Sequence, residues 1–173
     1  MWAKRRQSGF TIVELLIVIV VIGILAAITI VAYNGIQTRA KNTKTISATN
    51  AWIKAIKLYE ADNGSLPGIN SCLGTSTTYP DNQQCWNSTI WIVTSAWLTL
   101  MAPYAGNNLA EPDITNIDSV NSPRRGALYS GGPHQIYMML SGTNTCPDMN
   151  APHFNGGSLD AATSGGRYCV YQL

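Results

Sequence analysis

Arg5-Arg6-Gln7-Ser8-Gly9-Phe10-Thr11-Ile12-Val13-Glu14 opens a run that continues from Leu15 to Tyr33 with no ionisable group except the Tyr33 phenol. Nineteen residues at a rise of about 1.5 Å each make an apolar rod about 30 Å long, enough to cross the hydrocarbon of a bilayer. The short basic flank ahead of it predicts insertion with the N-terminus held inside and the rest of the chain outside. A secretory signal peptide has a shorter apolar core followed by a small-x-small cut. Here the run is too long, and Ala26-Ala27 lies inside it. An uncleaved signal anchor is the stronger rival.

Glu14 is the odd member. A carboxylate in hydrocarbon costs about 3 kcal/mol on insertion scales. One turn into the rod, it can snorkel to the headgroups. It can also pair with a cation. Cleavage after Gly9 would create one, the α-amine of Phe10, with an unperturbed pKa of about 7.7–8.0. Such an amine on one chain suits Glu14 of a neighbour.

Gly9-Phe10-Thr11-Ile12-Val13-Glu14-Leu15-Leu16, with Ile22-Gly23-Ile24-Leu25-Ala26-Ala27-Ile28 behind it, resembles the N-terminus of type IV prepilins. The resemblance is dense over about the first 35 residues. It implies removal of residues 1–9 by a prepilin peptidase, N-methylation of Phe10, and a role for Glu14 in assembly on a dedicated platform. The expected product is a homopolymeric surface filament, with the membrane as the precursor's location. One departure stands out: the family often has Pro before the Ala-Tyr pair, and here Val31 precedes Ala32-Tyr33. A helix break there is less expected. Gly23 and Ala27 form a small-xxx-small pair that permits close helix approach.

The chain of 173 residues leaves a head of roughly 110 after a helix of about 50, enough for one core. Its net charge of +2 becomes −1 once Lys4, Arg5 and Arg6 are removed, and neither value points to a nucleic-acid binder. Charged residues make up only 12 %, with abundant Ser, Thr, Asn and Gly, which suits an exposed extracellular domain. Cys72, Cys85, Cys146 and Cys169 contain no C-x-x-C pair, so zinc and thioredoxin-like readings are weak. All four follow the rod, on the side where disulfides form. Of the three connectivities, local closure favours Cys72–Cys85 and Cys146–Cys169. A loop of 14 residues is worth about 3 kcal/mol on loop-entropy grounds. The resembled family commonly has a disulfide-bounded loop near its C-terminus, in keeping with the second pair.

From the N-terminus the expected segments are a leader (1–9), the hydrophobic rod (10–33), an amphipathic continuation of the same helix (34–63) and a globular extracellular head (64–173). Ile46, Thr49, Ile53, Ile56 and Tyr59, with Trp52 alongside, recur at helical spacing as a core-facing stripe. Asn63-Gly64 and Pro67 end it. Residues 64–93 read as a loop, and Asn87-Ser88-Thr89 within it matches a glycosylation sequon. Ser95–Met101 reads as a short helix that Pro103 ends. Gly126–Ser130, Gln135–Leu140 and Arg167–Leu173 read as strands, with Gly131-Gly132-Pro133 as a hairpin turn. Gly142–Gly166 is a stapled loop. The fold class is α+β: a long N-terminal helix packed on a small antiparallel sheet.

Charge is segregated. Arg39, Lys41, Lys44, Lys54 and Lys57 come without an acid between them, then Glu60, Asp62, Asp81, Glu111, Asp113 and Asp118 without a base. Solvated faces account for this, and so does complementarity between neighbouring subunits.

Catalytic motifs are lacking: no H-x-x-x-H, P-loop, G-x-S-x-G or dinucleotide fingerprint occurs. His134 and His153 each stand alone in Gly/Pro-rich settings. Asp148 and Asp160 offer two carboxylates where calcium wants six or more oxygens, so no metal or cofactor is expected. Arg124-Arg125 with Tyr129 is a weak pattern for phosphate contact and base stacking. The reading is a filament subunit and not an enzyme, serving attachment, motility or DNA uptake. The alternatives are a pseudopilin or minor pilin of a secretion or competence system, an uncleaved anchored binding domain and, last, an extracellular enzyme.

Overall fold

The structure is a computed structural model, described for residues 9–79, 84–86, 91–106, 109–115, 124–142, 145–149, 151–152 and 166–173. It divides into two units, Met1–Gln37 and Thr38–Leu173. One helix, α1 (Ile12–Asn63), supplies the whole described helical part of the first and the scaffold of the second. It passes Asn34-Gly35 without interruption, in keeping with the absence of a Pro before Ala32-Tyr33. Its end comes at Gly64, whose φ of 73° suits a residue without Cβ and whose N–H closes on Glu60 O at 2.8 Å.

After α1 come β1 (Ser71–Cys72), α2 (Ser95–Ala105), β2 (Ala127–Ser130), β3 (Gln135–Ser141) and β4 (Gly166–Gln172). The strands form one antiparallel sheet in the order β1-β2-β3-β4. β1 lies within the stretch expected to be irregular. Its N–H of Cys72 also bonds Ile92 O at 3.1 Å, a tertiary pairing that two residues of sequence do not announce.

Alternation along the strands sorts two layers. Ala127, Tyr129, Ile136, Met138, Leu140, Cys169 and Tyr171 pack with Trp52, Ile53, Ala55 and Ile56 of α1 and with Trp97 and Met101 of α2. The expected stripe is thus the core face, joined by buried Thr45 and Ala48, which apolar periodicity passes over. On the other face Leu128 clusters with Cys72, Tyr79, Cys85 and Val93, and half-buried Tyr137 packs against them. Disulfides join Cys72 to Cys85 and Cys146 to Cys169. Cys169 is in the helix-facing core and Cys85 in the opposite one, so each bridge ties a loop to its own layer.

α2 runs a full turn further than Met101, with Pro103 inside it. Thr94 caps its start, Oγ1 accepting from Trp97 N at 3.1 Å. Pro103 is tolerated because it falls in the last turn, where the carbonyl it cannot bond belongs to solvent-exposed Thr99.

The hairpin turn covers Gly131–His134. A Cβ on Gly131 would lie 2.4 Å from the carbonyl carbon of Gly68, so only Gly allows this approach.

Candidate processing and assembly site

Gly9 and Phe10 precede the helix and are exposed, Phe10 at 79 %. Thr11 occupies the N-cap position and Glu14 the third helical position. Thr11 N donates to Glu14 Oε2 at 2.8 Å, Thr11 Oγ1 donates to the same oxygen at 2.7 Å, and Glu14 N donates back to Thr11 Oγ1 at 3.3 Å. This is a reciprocal capping box, which satisfies donors that a helix start leaves orphaned. The Thr-x-x-Glu spacing is the sequence signal for it. Glu14 therefore has a local use in a single chain. Its Oε1 has no hydrogen-bond partner among the described residues, so that oxygen remains open to a further cation.

Beyond Glu14 every large side chain of the rod is exposed, from Leu15 through Leu25 to Tyr33. Its Thr29 hydroxyl is satisfied within the helix by donating to Ala26 O at 2.9 Å. This is the only helix among the described residues long and apolar enough to cross a membrane.

The other candidates scatter. No cluster of three metal-ligating side chains occurs among the described residues; Asp148 is exposed, while Asp160 and His153 lie outside them, as does Asn87-Ser88-Thr89. His134 Nδ1 sits 3.0 Å from the Tyr129 hydroxyl, in a turn. The pairing of Arg124 with Tyr129 does not form: the Tyr129 ring stacks on Trp97 in the core, and its hydroxyl donates to Pro67 O at 2.8 Å. Arg124 instead places its guanidinium over Trp86 at 4.2 Å and over Tyr168 at 4.9 Å, closing the outer layer of the sheet.

The class is therefore a chain with an apolar, acid-bearing N-terminal helix and a disulfide-stapled α+β head. A family profile described as the prokaryotic N-terminal methylation motif matches residues 4–30. Type II secretion system core protein G of Aeromonas hydrophila is 35 % identical over 82 residues, which cover 45 % of this chain and 57 % of that protein. A fimbrial protein of Neisseria meningitidis serogroup B is 38 % identical over 72 residues, 42 % of each chain. The type IV major pilin of Neisseria gonorrhoeae is 35 % identical over 75 residues, covering 43 % of this chain and 46 % of that one. The chain spans about half the length of the curated relatives it matches. No solved structure matches it. Over its N-terminal part the chain is thus similar to proteins named as pilins, fimbrial proteins and secretion-system core proteins.

Proposed function

We propose that this protein is a structural subunit of a type IV pilus-like filament. It is inserted in the membrane as a precursor with its head outside, cut between Gly9 and Phe10 by a prepilin peptidase, and methylated on Phe10. Polymerisation then proceeds through the rod, on an assembly platform. The observation that carries this reading is the rod itself: wholly exposed apolar side chains, with one carboxylate a turn from the Gly9–Phe10 bond. A lipid bilayer covers such a surface before assembly and neighbouring rods cover it afterwards. Glu14 supplies the charge that the Phe10 amine of a neighbour neutralises, through the oxygen its own cap leaves open. On this reading the chain performs no chemical step and needs no cofactor.

A secretion-system pseudopilin is the second reading, favoured by the likeness to core protein G of Aeromonas hydrophila. Abundance separates the two, since a main pilus subunit dominates sheared surface filaments.

Peptide mass spectrometry of sheared material tests the proposal. The expected chain begins at N-methylated Phe10 and is four hydrogens lighter than the reduced form, for two disulfides. A chain that keeps residues 1–9 and is recovered only from membranes would instead indicate an anchored binding domain.

A further inference from the structure

Three cations stand on α1 just beyond the rod. Arg39 and Lys44 are exposed and Lys41 is half-buried, and none of the three side chains makes a hydrogen bond or ion pair among the described residues. No acid occurs between Glu14 and Glu60 to neutralise them. Along the helix, Arg39 follows Tyr33 by about 9 Å and Lys44 follows it by about 17 Å. The headgroup layer outside the hydrocarbon is itself about 5–8 Å deep. The field of charged headgroups reaches about 8–10 Å further at ordinary ionic strength. A helix that crosses the bilayer through the rod therefore brings the Arg39 guanidinium to the phosphates, and Lys41 and Lys44 into their field.

Placement around the helix narrows the partner. At about 100° per residue, counted from Arg39, Lys44 lies at about 140° and Lys41 at about 200°. The head meets the remaining side: Asn42, at about 300°, bonds Ser141, and Thr38, at about 260°, abuts Gly142. The cations are thus spread over the arc that the head leaves open. One partner helix meets a stripe only about 100° wide. A lipid layer surrounds the helix and meets all three cations at once.

We propose that Arg39, Lys41 and Lys44 dock the unassembled subunit on anionic phospholipid headgroups of the outer leaflet. The occupant is a lipid surface because the charges are of one sign, because they follow the open side of the helix, and because that helix continues from the apolar rod. The inference rests on the membrane-inserted precursor of the filament reading. It adds a contact that entry into a filament has to break.

Native mass spectrometry of the full chain released from nanodiscs of mixed phosphatidylcholine and phosphatidylglycerol tests this. The wild-type chain should retain phosphatidylglycerol in preference to phosphatidylcholine. The combined Arg39→Gln, Lys41→Gln and Lys44→Gln variant should lose roughly half of that retained phosphatidylglycerol or more. Lys4, Arg5 and Arg6 are present in both chains and cancel from the comparison. Exchanging the same three positions as Arg39→Lys, Lys41→Arg and Lys44→Arg should keep the wild-type level, which separates charge from folding. Lys54→Gln with Lys57→Gln, about 30 Å or more past Tyr33, should keep it too. A triple glutamine variant that retains the wild-type amount, or a Lys54 and Lys57 variant that loses as much, would overturn the docking and leave the filament reading standing. A chain that does not enter nanodiscs at all would overturn both.

Discussion

Asn42 and Ser141 hold each other by two hydrogen bonds: Asn42 Nδ2 donates to Ser141 O at 2.7 Å, and Ser141 N donates to Asn42 Oδ1 at 3.0 Å. A side-chain amide thus stands in for a neighbouring strand at the end of β3 and joins it to α1 across 99 residues of sequence. Asn42→Ala removes both bonds and leaves two part-buried backbone groups without that partner, at a cost of about 1–3 kcal/mol. Asn42→Asp keeps the acceptor and loses the donor, so its loss should be comparable or larger. Denaturant melts of the detergent-solubilised chain check the order.

The capping box separates two uses of one acid. Thr11→Val should weaken only the first turn, by about 0.5–2 kcal/mol locally, and leave filament yield near normal. Glu14→Val should insert at least as well as wild type and yet fail to enter filaments, because it removes the open oxygen as well as the cap. Comparing the membrane-inserted and sheared fractions of the two variants checks this. Equal defects would mean that capping alone explains Glu14.

Gly131→Ala should destabilise the head by about 1–3 kcal/mol, since the added carbon meets the Gly68 carbonyl carbon at 2.4 Å. Gly132→Ala, one residue on, meets nothing within 4 Å and serves as the control. Thermal melts of the two should differ clearly.

Three buried tyrosines make the head sensitive to alkali. Burial raises the Tyr79, Tyr129 and Tyr171 hydroxyls well above their ordinary value near 10. Desolvation is the leading cause in each, and for Tyr79 a hydrogen bond with Ala127 opposes it. The folded state therefore holds these protons after the unfolded chain has released them. Their stabilising contribution is complete below pH 10 and is lost as pH rises from there toward the raised folded values, by up to about 1.4 kcal/mol per pH unit per tyrosine. Tyrosinate absorbance should lag the exposed residues and then appear together with loss of circular dichroism. A smooth titration of all tyrosines near pH 10 with the fold intact would contradict this.

The core of the head was legible wherever one local pattern sufficed. Ile53, Ile56 and Trp52 declared a helix face, and Ile136, Met138 and Leu140 declared a strand face; the helix ends at Asn63 and the strand runs one residue past Leu140. What escaped depends on residues distant in sequence. β1 is a strand because Cys72 meets Leu128, and the Asn42 amide matters because the end of β3 arrives beside it. Arg124 reads in sequence as a weak phosphate-contact candidate because Trp86 and Tyr168, the rings its guanidinium covers, are distant in the chain. At the N-terminus, the reading of Gly9, Phe10 and Glu14 rests on local spacing alone, and the structure adds the Thr11–Glu14 cap. Thr11 is as local as any of them, its Thr-x-x-Glu spacing being the signal for the cap.

β4 forms one edge of the sheet. β4 supplies Cys169 to the core and pairs along the whole of β3, and Leu173 N bonds His134 O at 3.0 Å. In a chain folding from its N-terminus the helix-facing core stays open on one side until β4 is added. Until then Cys146 has no partner thiol. A chain stopped before Cys169 leaves the Cys146 thiol without its disulfide partner, so the second bridge is also a chemical record that β4 has docked.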